Sequence, residues 1–173
     1  NRVITQLIEF ARPLELRKEK ARVFDLIHDA LKLIEVDAQK KNIKINIGSE
    51  NHELFADLDP DKVKQVLLNV FLNALAAMKD GGRLDIAWAQ EKENIRLVIA
   101  DNGTGIEEAD LPRIYDPYFT SKPAGTGLGL AVVQKIMEAH GGKISVESAV
   151  GKGTKVSLYF PRRISEEEGR NEK

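Results

Sequence analysis

Four short runs of alternating apolar and polar residues constrain the fold of this chain most strongly. Strict alternation indicates a strand with one buried face and one exposed face. The polar stretch 90–94 separates the first two runs and the stretch 151–153 separates the last two, which predicts two antiparallel pairs. The apolar positions of the runs are Leu84, Ile86, Trp88, Ile95, Leu97, Ile99, Ile144, Val146, Val156, Leu158 and Phe160. A sheet of this kind needs a second layer to cover its apolar face.

Three amphipathic segments are predicted to be helices that form this layer. The first runs from Phe24 to Lys40, the second begins at Pro60 with Asp59 as its cap and ends at 81–82, and the third covers Leu128 to His140. The predicted inward positions of the third are Leu130, Val133, Ile136 and Met137. We therefore predict an α/β (α+β) fold: a two-layer sandwich with helices packed on one face of a mixed, mostly antiparallel sheet.

The remaining segments have weaker signals. The apolar residues of 43–47 alternate, and the run 54–56 predicts a second short strand, with a turn between them at 48–52. We predict that residues 1–20 are the end of a longer helix, broken at Pro13, followed by a charged connector. Residues 21–162 are the predicted domain, and 163–173 a frayed tail with almost nothing to bury.

Composition excludes several classes of function. The 173 residues suit one domain with a sizeable core, and the formal net charge of −1 gives no reason to expect nucleic acid or an acidic membrane as partner. The absence of cysteine excludes disulfides and thiolate metal sites and suits a reducing compartment. No apolar run approaches the roughly 20 residues that span a bilayer.

Two glycine clusters bracket an irregular segment and predict a bound molecule. The clusters are Asp-Asn-Gly-Thr-Gly at 101–105 and Gly-Thr-Gly-Leu-Gly-Leu at 125–130. Glycine allows a backbone to take positive φ and approach a ligand closely, so two such turns predict contacts with one bound molecule, and residues 113–124 would form a lid over it. The second cluster enters a helix, whose free N–H groups can bind phosphate. It is not a Walker loop, because no Gly-Lys-Ser/Thr follows.

Side chains suited to a nucleotide stand near these clusters. Asn69 and Asn73 lie four apart on one face of the second helix, and one amide oxygen beside phosphate oxygens is a sufficient protein ligand for Mg²⁺. Asp101 can accept a hydrogen bond from an exocyclic amine such as that of adenine. Lys122 can reach a terminal phosphate as a point charge. Taken singly, each has an ordinary alternative: asparagines at a helix end, a turn aspartate and a solvated loop lysine.

Five motifs, taken in order, resemble the N, G1, F, G2 and G3 boxes of two-component sensor histidine kinases. They are Asn-x-x-x-Asn-Ala (69–74), Asp-x-Gly-x-Gly (101–105), Tyr-Phe-Thr-Ser-Lys (118–122), Gly-Thr-Gly-Leu-Gly-Leu (125–130) and Gly-x-Gly-Thr (151–154). The likeness covers about 21–161 and is nearest to the nitrogen-regulation type. It implies the Bergerat ATP-binding fold and makes 1–20 the end of a dimerisation helix with its linker.

The resemblance implies a role for each matching residue. Asn73 would hold Mg²⁺, Asn69 and Lys122 would act on the phosphates as catalytic residues, and Asp101 would hold the adenine amine. Ile106 and Leu130 would lie against the ring and Thr154 beneath it. The nucleotide-binding set is Asn69, Asn73, Asp101, Gly103, Gly105, Ile106, Tyr118, Thr120, Lys122, Gly125, Thr126, Gly127, Leu128, Gly129, Leu130 and Thr154.

Two departures limit the likeness. Many relatives carry a basic and then an aromatic residue at the positions held here by Ala76 and Ala77, which shifts the expected burden of binding to the lid and its lysine. The phosphoacceptor histidine is not recognisable. His28 follows the dimerisation-helix remnant instead of preceding it, so we predict a surface histidine, while His140 suits a helix C-terminus and His52 a turn.

Three functions remain open at the level of sequence. The first is a kinase domain that binds Mg-ATP and transfers the γ-phosphoryl group to a histidine on a separate dimerisation domain, for relay to a response regulator in the cytoplasm. The second is an ATP hydrolase of the same superfamily, although those enzymes place a glutamate where Asn69 stands, and an amide is a poor base. The third is a nucleotide sensor without transfer.

Overall fold

The structure is a computed structural model that describes residues 14–48, 53–121 and 125–162. Its strands are β1 (Glu19–Arg22), β2 (Lys44–Gly48), β3 (Phe55–Leu58), β4 (Arg83–Glu91), β5 (Asn94–Asp101), β6 (Lys143–Ala149) and β7 (Gly153–Pro161), and its helices are α1 (Val23–Lys40), α2 (Pro60–Ala77) and α3 (Gly129–Ala139). A single 3₁₀ turn covers Leu111–Arg113 in this part of the chain.

The main sheet has five strands in the order β2-β4-β5-β7-β6. Strands β2 and β4 are parallel, and the three other pairs are antiparallel. The helices pack against one another and against one face of this sheet, α1 beside α2 and α2 beside α3. The predicted two-layer sandwich with a mixed, mostly antiparallel sheet is therefore confirmed, as are the β4–β5 and β6–β7 hairpins.

The buried face of the sheet is the one that alternation predicts. Leu84, Ile86 and Trp88 of β4 are at most 3% exposed, and the inward residues of β5 and β7 are buried with them. Ile144 and Val146 on the edge strand β6 are only half-buried and pack against the core. Burial therefore falls towards the edge of the sheet, where the helices cover less of it.

The prediction for the first strands was wrong in two respects. Strand β3 does not form a hairpin with β2; it pairs with β1 in a separate two-stranded sheet, with Ala21 opposite Ala56. The segment expected to be a connector thus contains a strand. Glu19 and Lys20 are exposed and Ala21 is its only apolar residue, so the segment has no alternation to detect. Meanwhile β2 lies parallel to β4, a pairing between residues far apart in sequence.

Two helix predictions also need correction. Helix α2 ends at Ala77 instead of continuing towards Gly81, because the backbone of Met78 is extended and the Ala77 carbonyl accepts a bond from Thr104 N. In α3, Ala131 is buried, whereas Leu130, predicted to point inward, is half-buried. Leu130 thus stands at the border between the core and the surface that bears the second glycine cluster.

A buried polar junction joins the start of α2 to the end of α3. Asp59 caps α2 by accepting a bond from Lys62 N at 3.0 Å and also accepts one from Arg17 N at 2.8 Å. Asp59 N donates to His140 Nε2 at 3.1 Å, and His140 Nδ1 donates to Ile136 O at 2.8 Å. His140 is 4% exposed, and burial lowers its pKa. His140 thus lies at the helix C-terminus, as predicted. Its imidazole is neutral, because Nε2 accepts a hydrogen bond, so it acts on the helix end through the bond to Ile136 O and not through a charge.

Several predictions fall on segments outside the described residues. These are the helix end at 1–11, the frayed tail at 163–173 and the turn assigned to His52. Within the described ranges, no helix combines the length and the apolar character needed to cross a bilayer.

Candidate functional site

One face of α2 presents a row of groups towards the two glycine clusters. Asn69, Asn73 and Ala77 are spaced four apart and so lie on the same side of the helix. Both asparagines are half-buried. A side-chain carbon placed on Gly129, the first residue of α3, would lie 3.8 Å from Asn69 Oδ1 and 3.8 Å from Asn73 Nδ2. The amide pair therefore faces a helix N-terminus, which favours anions.

The first glycine cluster is held against the other end of the same face. Thr104 N donates to Ala77 O at 3.0 Å, and a side-chain carbon on Gly103 would lie only 2.7 Å from that carbonyl oxygen. Asp101 Oδ1 accepts from Gly103 N at 2.8 Å, which orients the carboxylate at the end of β5. Only glycine allows this close approach of the turn to the helix.

The turn between β6 and β7 closes over the first cluster. Gly151 N donates to Thr104 O at 2.8 Å. Gly105 has φ +73°, and a side-chain carbon there would lie 2.0 Å from Ala149 O. Gly153 has φ +85°, and its side-chain carbon would lie 1.9 Å from Asp101 O. Glycines of both predicted boxes are thus required by backbone contacts between the turns.

A polar row crosses the sheet at the base of these turns. The register places Thr154 opposite Asp101 on one side and opposite Ser148 on the other. Ser148 Oγ contacts Thr154 Oγ1 at 2.9 Å and accepts from Ile106 N at 2.9 Å. Sequence reasoning missed Ser148. Its alternation with Ile144 and Val146 predicted which face it occupies, but only the strand register places it beside Thr154.

The described part of the predicted lid is joined to the second cluster by a backbone crossing. Tyr118 N donates to Gly127 O at 3.0 Å. Gly127 has φ +66°, and a side-chain carbon on it would lie 2.3 Å from the carbonyl carbon of Tyr118. Tyr118 itself has φ 69°, a strained conformation for a bulky residue, which occurs more often at functional sites. The Arg113 guanidinium lies 4.3 Å from the centroid of the Phe119 ring.

Side chains of the lid differ in exposure. Tyr118 is 54% exposed and Thr120 is also exposed, whereas Leu128 is 0% exposed. Leu128 can therefore contribute to the predicted site only through its backbone. Burial raises the pKa of Tyr115. Lys122, predicted to be catalytic, falls at 122–124, outside the described residues.

The donor set suits a metal bound together with phosphates. Among the residues that the structure describes, no three His, Cys, Asp or Glu side chains gather where they could hold a metal ion. The asparagine pair instead offers amide oxygens beside a helix N-terminus. Mg²⁺ keeps waters and takes oxygens from substrate phosphates, so such a site fits the metal without a carboxylate cage.

A concavity with a volume of about 460 Å³ borders the polar row at this end of the sheet. Asp101, Ser148 and Thr154 line it together with the next cross-strand row, which consists of Asp85, Ala100, Lys155 and Glu147. Lys155 and Glu147 form an ion pair at 2.8 Å, and neither asparagine lines the concavity.

Two alanines at the end of α2 and a histidine on α1 were also singled out in the sequence. Ala76 is exposed, and Ala77 serves the site through its backbone carbonyl. His28 lies exposed on α1, stacked on Phe24 with the ring centroids 5.8 Å apart. The prediction of a surface histidine at this position is confirmed.

Comparison with known proteins assigns the chain to a family. Residues 58–164 match the model of the histidine kinase-, DNA gyrase B- and HSP90-like ATPases. The sensor histidine kinase ZraS of Escherichia coli (strain K12) is 37% identical over 165 residues, which are 95% of this chain and 36% of that protein. The chain thus spans about a third of the length of the curated relatives it matches.

Solved structures agree with the sequence relatives. The nucleotide-free catalytic domain of histidine kinase ThkA superposes with a TM-score of 0.79 at 30% identity, over 85% of this chain and 97% of that one. Histidine kinase ThkA in complex with response regulator TrrA gives a TM-score of 0.82 at 26% identity, over 94% of this chain and 47% of that one.

Proposed function

Because the chain belongs to the histidine kinase-, DNA gyrase B- and HSP90-like ATPase family, and within it to the histidine kinase catalytic domains, we propose that it binds Mg-ATP and transfers the γ-phosphoryl group to a histidine on a separate helical domain. The observation that carries the proposal is the face of α2 shared by Asn69, Asn73 and Ala77. This face spans about 12 Å along the helix, which separates a base site at one glycine cluster from a phosphate site at the other.

The base would lie at the Ala77 end of this face. Asp101 would accept a hydrogen bond from the adenine amine, with Thr154 beside it in the same cross-strand row. Ile106 and Leu130, both half-buried, would cover the ring. Gly103, Gly105 and Gly153 would allow the surrounding turns to come this close together.

The phosphates would lie at the start of α3. The N–H groups of 125–130 would face them, and Asn69 and Asn73 would contribute from α2. Asn73 would hold Mg²⁺, which supplies charge neutralisation on the phosphates when bound. Lys122, Thr120 and Tyr118 would complete the site from the lid. The protein would thus act mainly by positioning the γ-phosphoryl group and by stabilising its charge.

Asn69 favours transfer over hydrolysis. A hydrolase needs a base to activate water, and an amide does not accept a proton at neutral pH. The only acidic residue of α2 is Asp61, in its first turn and 92% exposed, two helical turns from Asn69. We therefore assign the acceptor role to a histidine of the full-length protein's dimerisation domain, and the next acceptor to a response regulator in the cytoplasm.

The decisive experiment supplies a histidine acceptor on a separate domain. This chain is mixed with γ-labelled ATP, Mg²⁺ and a histidine-bearing dimerisation domain, and label on the acceptor is measured beside released phosphate. We expect label on the acceptor histidine, none on an acceptor with His→Gln, and none on this chain, including His28. Release of phosphate without transfer would support the hydrolase instead, and ATP binding with neither product would support the sensor.

A further inference from the structure

We propose that Ser148 is a positioning residue that turns the Thr154 hydroxyl into an obligate hydrogen-bond acceptor, so that the base site rejects purines with a carbonyl at position 6. The inference rests on the proposed adenine site and goes beyond it, because it assigns base discrimination to a residue outside the five motifs. It follows from the hydrogen-bond count around a single oxygen atom.

Ser148, Thr154 and Asp101 lie side by side on the helix-covered face of the sheet. The next cross-strand row consists of Val146, Val156 and Ile99, which pack in or against the core. Side chains two residues apart on a strand share a face, so the polar row continues the core row at its edge. All three of its members are half-buried. The row therefore forms a polar wall where the core meets the site.

The contacts of Ser148 Oγ determine where its hydrogen lies. Its neighbours are Ile106 N at 2.9 Å, Gly153 O at 2.8 Å and Thr154 Oγ1 at 2.9 Å. Ile106 N can only donate and Gly153 O can only accept, so the single hydroxyl hydrogen of Ser148 is used on Gly153 O. The contact with Thr154 must then use the hydrogen of Thr154. Ser148 Oγ accepts two bonds and donates one, which saturates it.

Because its hydrogen is used on Ser148 Oγ, Thr154 Oγ1 can offer a ligand lone pairs but no hydrogen. Asp101, its neighbour in the row, also accepts, as the bond from Gly103 N shows. These two side chains of the polar wall therefore accept hydrogen bonds from a ligand and donate none. The 6-amino group of adenine is a donor, whereas the 6-carbonyl of hypoxanthine or guanine is an acceptor and would face oxygen lone pairs. Leaving an acceptor unpaired in a half-buried site weakens binding by roughly tenfold or more.

The test compares ATP with inosine triphosphate (ITP), whose base has a 6-carbonyl and an N1–H in place of the amine and ring acceptor. Titration calorimetry in Mg²⁺ gives the ratio of the two dissociation constants for wild type, Ser148→Ala and Ser145→Ala. We expect wild type to favour ATP by roughly tenfold or more. Ser148→Ala should reduce this preference several-fold, because the Thr154 hydrogen can then turn to the carbonyl. Ser145, exposed on the same strand, should leave the ratio unchanged.

A merely structural role for Ser148 predicts a different result. Its loss also releases Ile106 N, which would weaken ATP and ITP alike without moving their ratio. Thr154→Val should lower the ratio too, and adding Ser148→Ala to Thr154→Val should change it no further, because Ser148 acts through Thr154. If thermal melting shows that Ser148→Ala is not folded, Ser148→Cys is used instead, because cysteine keeps the side-chain size and is a weaker acceptor.

The outcomes separate this inference from the proposed function. A wild-type protein that binds ATP and ITP equally would remove the adenine site itself. A wild type that favours ATP, with a Ser148→Ala ratio equal to it or with additive effects in the double variant, would overturn only the role of Ser148.

Discussion

Asp59 and Asp101 occupy similar places relative to a strand end, yet Asp59 is bonded within the protein and Asp101 faces the proposed nucleotide site. Asp59 follows β3 and Asp101 ends β5, and each accepts a bond from a backbone N–H two or three residues further on. Asp59 is 6% exposed, and it also binds Arg17 N. Asp101 is half-buried in a row that borders the glycine turns.

The two helices α2 and α3 run in opposite directions between these two regions. Helix α2 starts in the junction of Asp59 and His140 and ends at the first glycine cluster, while α3 starts at the second cluster and ends in the junction. In the junction, polar groups bind one another within the chain. At the site, backbone crossings that need glycine bring half-buried polar groups together. The same residue types therefore stabilise the fold at one end and form the proposed nucleotide site at the other.

The largest effect on stability is expected from a side chain placed where two backbone segments cross in close contact. Gly153→Ala should lower the free energy of unfolding by more than about 3 kcal/mol, because its side-chain carbon would lie 1.9 Å from Asp101 O at a positive φ. Gly151→Ala is the matched control, with φ +75° and no atom within 4 Å, and should cost about 1–2 kcal/mol. Chemical denaturation measures both. Equal losses would show that the crossing is not tight.

The next effect tests whether the junction serves stability alone. Asp59→Ala should cost about 2–4 kcal/mol of unfolding free energy, because it removes the α2 cap and leaves Arg17 N without its carboxylate. Asp61→Ala, an exposed acid in the same helical turn, should cost less than about 0.5 kcal/mol. ATP affinity should stay the same in both folded variants. A large loss of affinity in Asp59→Ala would mean that the two regions are coupled.

A substitution at the proposed site should weaken nucleotide binding without lowering the stability of the fold. Asn73→Ala should reduce Mg²⁺-dependent ATP affinity by roughly 10- to 100-fold, the scale of one charge-assisted contact, while the melting temperature changes little. Titration calorimetry with and without Mg²⁺ separates the metal's contribution, with Asn46→Ala, the same substitution at an exposed position of β2, as control. Unchanged affinity in Mg²⁺ would remove the metal role of Asn73.

The smallest effect is the pH dependence of the junction. Burial keeps the folded-state pKa of His140 below its ordinary 6.5, so the unfolded chain takes up a proton first as the pH falls. The facing groups are Asp59 and Lys18, whose Nζ contacts His140 O at 3.5 Å. Stability should be full above pH 6.5 and decline by up to about 1.4 kcal/mol by pH 5.5.

Denaturation of wild type and His140→Asn at the two pH values checks this. The variant should lose most of the slope; an equal slope in both proteins would place the titration elsewhere. Asp59 contributes at lower pH. Burial opposes its ionisation most strongly, but the bonds from Arg17 N and Lys62 N, with the charges nearby, outweigh that and lower its pKa below 3.8. Its stabilisation is therefore present above pH 3.8 and is lost as the pH falls below it.

The sequence determined the features that depend on near neighbours. Alternation in 84–99 and 156–160 specified the buried face of the sheet, because side chains of a strand point to opposite sides. Helical spacing placed Asn69 and Asn73 on one face, and Asp59 with Pro60 marked the start of α2. The glycine clusters marked turns that approach other backbone, since each needs a residue without a side chain.

Only the tertiary structure decided which distant segments meet. The pairing of β1 with β3, the parallel pairing of β2 with β4, and the neutral state of His140 depend on groups 33 or more residues away in the chain. The same holds for Ser148: its face was readable from alternation, but the bond from Ile106 N, 42 residues away, was not. Local patterns do not predict a partner that is distant in the sequence, because strand register and burial are set by the packing of the whole core.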